Sequence, residues 1–243
     1  MVLCGGQWNG SAPTDMRKIA IVTALKSEVA PLIRDWSVRF IDHAGKRHQL
    51  FENGHAALLC AGIGPEAARR ATEAIIQEFQ PSHILSVGFV GALDPGLRVG
   101  EVFEPRTVIN AGDGARTDTG SGQGTLVSFD AVAGPEQKEK LRIAYGASIV
   151  DMEAAAVAQG AETRGVSFGA LKVVSDEAAF AMPPVHGFVA PDGKFRTASF
   201  AAHVAIRPWL WGRTFVLARN STRARRVLCV ALEQYLKHAE LAV

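Results

Sequence analysis

The stretch Ile149-Val-Asp-Met-Glu-Ala-Ala-Ala-Val157 joins a β-branched pair to an alanine-rich segment that continues through Ala161. Alanine favours helix and allows close packing, so this stretch predicts a strand that leads into a buried or half-buried helix. The first turn carries two carboxylates, Asp151 and Glu153. They could cap the helix, which stabilises it by roughly 0.3–1 kcal/mol, or one of them could face a ligand pocket at the end of the strand.

Strand and helix patterns alternate on both sides of this stretch. The predicted strands are residues 18–25, 39–51, 56–61, 84–89, 98–103, 126–130 and 165–175. The predicted helices open at Ser27, run to Phe79 after Gly64, and cover residues 136–145 as a charged, exposed helix. Such alternation is typical of an α/β protein with a mostly parallel sheet covered by helices on both faces. Residues 16–243 are expected to form one domain, and residues 1–15 a disordered extension.

The composition is that of a soluble globular protein, with 48% apolar and 21% charged residues among 243. No apolar run approaches the roughly 18–20 residues of a membrane span, and no signal peptide is recognised. Cys4, Cys60 and Cys229 are too scattered for a disulfide framework, which favours a cytoplasmic location. Basic residues are concentrated after residue 206, whereas the formal net charge of the whole chain is only +2.

Gly62-Ile-Gly-Pro-Glu-Ala67 matches the dinucleotide-binding pattern G-x-G-x-x-A. That fingerprint should follow the first strand, and an acidic residue should end the next strand, yet residues 84–89 contain no acid. We therefore interpret the glycines as a tight strand-to-helix turn, with Pro65 in the first position of the helix and backbone N–H groups facing a ligand.

Three carboxylates, Glu28, Glu153 and Asp176, follow predicted central strands at their carboxyl ends. Ligands of open α/β sheets bind at that edge, and converging like charges are costly unless they bind something. No metal site is predicted, because the histidines lack ligand spacing and Asp113 and Asp118 do not fit a calcium loop.

Five motifs occur in a fixed order along the chain. They are Lys18-Ile-Ala-Ile-Val-Thr-Ala-Leu25 with Glu28, Ala61-Gly-Ile-Gly64, Ser86-Val-Gly-Phe-Val-Gly-Ala-Leu93, Val150-Asp-Met-Glu-Ala-Ala-Ala156 and Val173-Val-Ser-Asp176. As a set they resemble the purine nucleoside phosphorylase superfamily, nearest its methylthioadenosine/adenosylhomocysteine nucleosidase branch, over residues 17–180. The resemblance implies a three-layer mixed, mostly parallel sheet flanked by helices, a small-molecule nucleoside substrate, no cofactor, and assembly as a homo-oligomer.

The resemblance also implies residue roles. Glu153 would hold the ribose 2′- and 3′-hydroxyls above Met152, Asp176 would protonate the purine N7, and Glu28 would position or deprotonate the attacking water. Val132 would contact the base. The remaining substrate-site residues implied by the motifs are Gly64, Gly88, Phe89 and Ser175.

The motifs also bear on whether water or phosphate attacks the substrate. Phosphorylases of the superfamily bind phosphate with an arginine and a serine in the segment that matches 86–89, where this chain has Ser86 and Phe89. Hydrolysis is therefore favoured, and phosphate remains an alternative co-substrate if Arg34, Arg106 or Arg116 reaches the site.

The segments 178–190 and 206–226, with the turn at 191–193 between them, resemble the hopanoid-associated branch of the superfamily. That branch is thought to remove adenine from adenosylhopane, whose triterpene needs an apolar route to the site. The arginines near Trp209, Trp211 and Phe215 also suit peripheral contact with an anionic inner membrane.

Other interpretations stay open. The tail could be a helix that packs on the sheet with solvated arginines, and the enzyme a methylthioadenosine/adenosylhomocysteine nucleosidase or a general purine nucleoside phosphorylase. A nucleoside-binding module would need Glu153 alone, and a membrane adaptor only the tail. No nucleic-acid partner is expected.

Overall fold

The computed structural model describes residues 18–190 and 193–241. The predicted extension at 1–15 and two residues of the turn at 191–193 lie outside them. The strands are β1 Ile19–Thr23, β2 Ser37–His43, β3 Lys46–Asn53, β4 Ala56–Cys60, β5 His83–Ala92, β6 Val102–Phe103, β7 Thr107–Asn110, β8 Arg116–Asp118, β9 Thr125–Ser128, β10 Ile149–Asp151 and β11 Ser167–Asp176. The helices are α1 Lys26–Val29, α2 Pro65–Phe79, α3 Pro135–Tyr145, α4 Ala154–Glu162, α5 Thr197–Ala205 and α6 Pro208–Leu241.

The described strands form one mixed sheet, as predicted. Its order is β2-β3-β4-β1-β5-β10-β9-β7-β8, and β11 also pairs with β5 and β6. Parallel ladders join β4, β1, β5 and β11 at the centre, and β10, β9 and β7 beyond them. The β5–β10 pairing and the pairings toward the edges are antiparallel. The parallel strands β1, β5 and β11 bring their carboxyl ends to one edge. Strand β10 runs antiparallel to β5 and pairs with its last residues, Gly91 and Ala92.

Helices cover both faces of the sheet, because the buried strands are apolar on both sides. In β1, Ala20 and Val22 pack in the cluster with α2 and α4, whereas Ile19 and Ile21 pack in the cluster with α1 and α6. This alternation produces three layers, and the predicted α/β fold is confirmed. Ala-rich α4 is buried along Val157, where it packs closely against the sheet.

Local predictions differ from the structure at four places. The predicted strand 39–51 is interrupted by a turn at Ala44 and Gly45, both with positive φ, so it forms the hairpin β2–β3. The predicted loop 110–124 contains β8, and the predicted strand 98–103 is reduced to β6. The predicted exposed helix α3 buries one of its lysines, Lys138, which is 2% exposed.

Helix α6 changes character along its length. Its second half packs Leu228 and Leu232 against the sheet, whereas its first turns expose Trp209 and Phe215 by 73% and 71%. Within the residues described, none of the helices has the length and apolarity to cross a membrane.

Candidate active site

A cavity of about 230 Å³ opens at the carboxyl ends of β1, β5, β10 and β11. Its lining includes seven of the nine predicted site residues, namely Glu28, Phe89, Val132, Met152, Glu153, Ser175 and Asp176. The two predicted glycines, Gly64 and Gly88, lie behind the lining and contact its carboxylates. Residues far apart in sequence therefore meet at the edge of the sheet, where the sequence analysis predicted a ligand site.

Glu28 is 6% exposed and is held by the end of β1. Its Oε2 accepts hydrogen bonds from Thr23 Oγ1 at 2.6 Å and from the Leu25 N–H at 3.2 Å. A Cβ on Gly88 would lie 3.4 Å from the same oxygen, at ordinary van der Waals distance, so Gly88 lies directly beside the carboxylate. Burial raises the pKa of Glu28 above its ordinary value, although these hydrogen bonds oppose the rise. A carboxylate with a raised pKa is a better proton acceptor near neutral pH.

Glu153 forms the N-terminal boundary of α4 and reaches the glycine turn before α2. Its Oε1 accepts the Gly64 N–H at 2.8 Å, and Gly64 needs its positive φ of 100° to present that donor. Burial, and next the negative charge of Asp151, raise the pKa of Glu153 to about 7. The carboxylate therefore has one oxygen fixed by the protein, and its other oxygen accepts only a longer contact, 3.3 Å from the Met152 N–H.

The glycine turn was predicted to direct its backbone N–H groups at a ligand, and this prediction is wrong. The N–H of Gly62 donates to the Ala24 carbonyl at 2.9 Å, that of Ile63 to the Gly193 carbonyl at 2.8 Å, and that of Gly64 to Glu153. These donors are used within the chain, so the turn supports the carboxylate that lines the cavity. Pro65 does occupy the start of the helix, as predicted.

Asp176 ends β11 with only 2% exposure. Its Oδ1 accepts a hydrogen bond from Ser175 Oγ at 2.8 Å, and its Oδ2 forms an ion pair with Lys138 Nζ. Lys138 comes from the first turn of α3 and also donates to the Glu177 carbonyl at 2.8 Å. The acid predicted to protonate the base is thus in contact with a buried cation that the sequence analysis did not identify.

A second buried ion pair lies beside the first. Lys172 Nζ of β11 is 2.8 Å from Asp151 Oδ2 and 2.9 Å from Ser86 Oγ. Asp151 also accepts hydrogen bonds from Ser128 Oγ at 2.6 Å and from the Ala154 N–H at 3.1 Å. It therefore caps α4, as the first interpretation held, and also binds a lysine. The positive charge of Lys172 opposes the rise in the pKa of Glu28 and of Glu153.

The other side of the cavity is apolar. It is formed by residues that follow β11, namely Met182, Val185, Val189, Phe195 and Leu217. The rings of Phe188 and Phe200 pack edge to face with centroids 5.3 Å apart and extend this surface. The cavity thus has a carboxylate-rich floor made by the sheet and an apolar wall made by the carboxyl-terminal segments.

The two buried lysines were missed in the sequence for different reasons. Lys172 stands within the β-branched and apolar run of β11, where a lone charged residue signals a buried partner. Lys138 lies three positions before the buried Leu141 and so on the inward face of α3, but four other charged residues hid that periodicity. Among the described residues, no group of His, Cys, Asp and Glu could hold a metal ion.

A model of one protein family, described as the phosphorylase superfamily, matches residues 18–142 and 121–203. A 5′-methylthioadenosine/S-adenosylhomocysteine nucleosidase of Staphylococcus aureus strain JH9 is 27% identical over 195 residues, which cover 65% of this chain and 86% of that protein. A nucleosidase of the same description from Marinomonas sp. strain MWYL1 is 29% identical over 101 residues, 39% of this chain and 42% of that protein.

The fold of this chain also resembles the folds of solved structures. The native futalosine hydrolase of Helicobacter pylori strain 26695 superposes with a TM-score of 0.64 and 18% identity, covering 90% of this chain and 98% of that one. At this identity the likeness concerns the fold, including the three layers around the mixed sheet.

Proposed function

The chain belongs to the phosphorylase superfamily, and from this premise we propose that it hydrolyses the N-glycosidic bond of an adenine nucleoside with a large apolar 5′ substituent. Membership confirms the prediction of an enzyme that cleaves N-glycosidic bonds. The observation that carries the proposal is the meeting of Glu28, Glu153 and Asp176 in one cavity beside an apolar wall.

The three carboxylates divide the chemistry between them. Glu153 accepts hydrogen bonds from the ribose 2′- and 3′-hydroxyls through the oxygen that Gly64 leaves available, and Met152 lies under the sugar. Bond cleavage passes through an oxocarbenium-like state, which nearby anionic groups stabilise. Asp176 delivers a proton to the purine N7, and Glu28 takes a proton from the water that attacks C1′. Ser175 orients Asp176, while Phe89 and Val132 flank the ligand.

Hydrolysis is favoured over phosphorolysis by the charges around the cavity. No arginine is found among the described residues that line it. Arg34 is 78% exposed, Arg106 is paired with Asp118 at 2.7 Å, and neither is among the residues that line the cavity. Ser86, at the position where phosphorylases carry arginine, is buried and bound to Lys172. The lysine that lines the cavity, Lys138, is paired with Asp176, so a phosphate ion would still meet carboxylates that repel it.

The 5′ substituent is proposed to be a triterpene, which makes adenosylhopane the candidate substrate. The cavity of about 230 Å³ is below the roughly 300–1,000 Å³ of common ligand sites, so a large substituent would extend out of it. The wall formed by Val185, Val189 and Phe195 offers such a group an apolar path. The nucleosidase relatives favour a second candidate, methylthioadenosine or adenosylhomocysteine.

The test is mass spectrometry of the products from adenosylhopane, methylthioadenosine and inosine, each with and without phosphate. We expect adenine and the free sugar from adenosylhopane, at a rate independent of phosphate. Faster cleavage of methylthioadenosine, with adenosylhopane inert, would assign the second candidate function. A sugar 1-phosphate that appears only with phosphate would replace hydrolysis by phosphorolysis.

A lipid-linked substrate would require access to a membrane surface, and we propose that the start of α6 provides it for an otherwise cytoplasmic protein. Ile206, Trp209, Trp211 and Phe215 are exposed by 55–73%, and no acidic residue occurs in residues 193–232. Aromatic and cationic side chains together bind anionic bilayers. Replacing Trp209 and Phe215 by serine should abolish co-sedimentation with phosphatidylglycerol vesicles, while cleavage of methylthioadenosine is retained. A homo-oligomer is proposed from the family resemblance, and light scattering would measure it.

A further inference from the structure

Lys138 is a buried cation at the reaction centre that a surface helix has no structural need to supply. It is 2% exposed, lines the cavity, and has two protein acceptors, Asp176 Oδ2 and the Glu177 carbonyl. The close approach depends on Gly91 of β5, where a Cβ would lie 3.0 Å from Asp176 Oδ2 and 3.1 Å from Lys138 Cε. An ammonium group has three N–H donors, so one is left over beyond these two acceptors.

Helix α3 is anchored without this lysine. Leu141 packs in a cluster with Ala133, Ala147 and Val150, and the Tyr145 hydroxyl donates to the Ala111 carbonyl at 3.0 Å. Burial of a lysine is costly. Even when it is paired with a carboxylate, a buried lysine seldom stabilises a protein more than an apolar residue of the same volume would. The position of Lys138 is therefore better explained by the chemistry of Asp176 than by the attachment of α3.

We propose that Lys138 supplies the proton that Asp176 delivers to the leaving base, so that the ion pair acts as the general acid. This inference rests on the proposed function of the same cavity. An ionised aspartate held by two donors has no proton of its own to give, whereas the adjacent ammonium does. Lys138 acts through Asp176 and is thus a positioning and proton-supplying residue, while Asp176 is the residue that touches the purine.

The proposed transfer balances. A proton leaves Lys138 Nζ for Asp176 Oδ2 and passes to the purine N7, while the electron pair of the C1′–N9 bond moves into the base. Water adds to C1′ and gives a proton to Glu28. When the products have left, Glu28 releases that proton to solvent and Lys138 takes one up. The sum is nucleoside plus water to free base plus sugar.

Two variants separate proton supply from charge. K138R keeps a cation beside Asp176 but cannot give up its proton, and K138M removes the cation at similar length. Each is assayed on an adenine nucleoside that the wild type cleaves and on 4-nitrophenyl riboside, whose leaving group departs without protonation. We expect both variants to lose about 10²–10⁴-fold in kcat on the nucleoside, and to keep the wild-type kcat on the nitrophenyl substrate.

The pH dependence gives a readout that a structural role would not move. In K138M the residual nucleoside cleavage should increase as the pH falls, because Asp176 then takes its proton from solvent. Circular dichroism and thermal melts check that each variant is folded, and K138R carries the test if K138M unfolds.

The outcomes distinguish this inference from the proposed function. An active wild type with K138R equal to it on the nucleoside would overturn the role of Lys138 and leave the function standing. Equal losses on both substrates would likewise assign Lys138 to structure and overturn the inference. A wild type inactive on every adenine nucleoside would overturn the proposed function, and the inference with it.

Discussion

Two buried lysine–aspartate pairs lie side by side at the carboxyl edge of the sheet, and they differ in their surroundings. Lys172 and Asp151 both belong to strands. Asp151 accepts hydrogen bonds from three donors, namely Lys172, Ser128 and Ala154. Lys138 comes from a helix outside the sheet and meets Asp176, whose oxygens each accept one donor.

The difference indicates separate roles. In the Lys172–Asp151 pair, Asp151 also accepts hydrogen bonds from Ser128 and Ala154, and of the two members only Asp151 is among the described residues that line the cavity. A buried pair with several further hydrogen bonds fixes the relative positions of β10 and β11. Both members of the Lys138–Asp176 pair face the cavity, where a ligand could complete their hydrogen bonding. Under the proposed mechanism, similar chemistry thus serves the framework in one pair and the reaction in the other.

The largest expected effect comes from the cavity pair. Asp176→Asn should abolish nucleoside turnover, a loss of about 10²–10⁴-fold or more, because the proton to N7 is no longer delivered. Ligand binding should be nearly intact, since the amide keeps an oxygen for Lys138. Steady-state kinetics and calorimetry with uncleaved 7-deazaadenosine measure the two quantities. Asp113→Asn, in the exposed loop before β8, is the matched control, and normal turnover in Asp176→Asn would refute the assignment.

The framework pair should show the opposite response. Lys172→Met leaves Asp151 buried without its cation, which should lower the free energy of unfolding by about 3–5 kcal/mol. Urea denaturation measures this loss, and the Lys172→Met/Asp151→Asn double variant should recover part of it. A loss below about 1 kcal/mol would mean that the hydrogen bonds, rather than the ion pair, hold the strands together.

The sequence predicted the carboxylates of these pairs better than it predicted the lysines. Each carboxylate follows a β-branched run, so the edge of the sheet places Glu28 and Asp176 together before any contact is known. The lysines depend on tertiary packing. Lys138 meets Asp176 across 38 residues of sequence, and no local pattern encodes that contact.

Local turn chemistry set a further limit. Asn53-Gly54 is a strong hairpin signal, and it does connect β3 to β4. Ala44-Gly45 carries a weaker signal because alanine seldom adopts the positive φ of 48° that this turn requires, so the β2–β3 hairpin was missed. The wall of the cavity is likewise built by segments without regular periodicity, and the sequence predicted its apolar character but not its contacts.

A substitution in β5 tests the cavity pair without replacing either Lys138 or Asp176. Gly91→Ala places a methyl group 3.0 Å from Asp176 Oδ2 and 3.1 Å from Lys138 Cε, so both side chains must shift by a few tenths of an ångström. Overpacking of this kind lowers the free energy of unfolding by about 1–3 kcal/mol. We expect the activation free energy calculated from kcat to rise by more than this loss. Gly134→Ala, before α3, is the control because its Cβ would meet no atom within 4 Å. Unchanged kcat in Gly91→Ala would show that the geometry of the pair is not critical.

Glu153 completes the comparison, because it is a cavity carboxylate without a lysine partner among the described ion pairs. Its pKa is raised from 4.5 to about 7, so in the free protein it is protonated below that pH and contributes stability that is lost as the pH rises through this window.

Ligand affinity should change in the opposite direction. The ionised carboxylate accepts both ribose hydroxyls, so 7-deazaadenosine should bind about tenfold more tightly at pH 8 than at pH 6. Calorimetry across that range measures the change, and Glu153→Gln should bind weakly with no such dependence. If the wild type shows equal affinity at both pH values, Glu153 is already ionised in the free enzyme, and Lys172 would then neutralise it as well as Asp151.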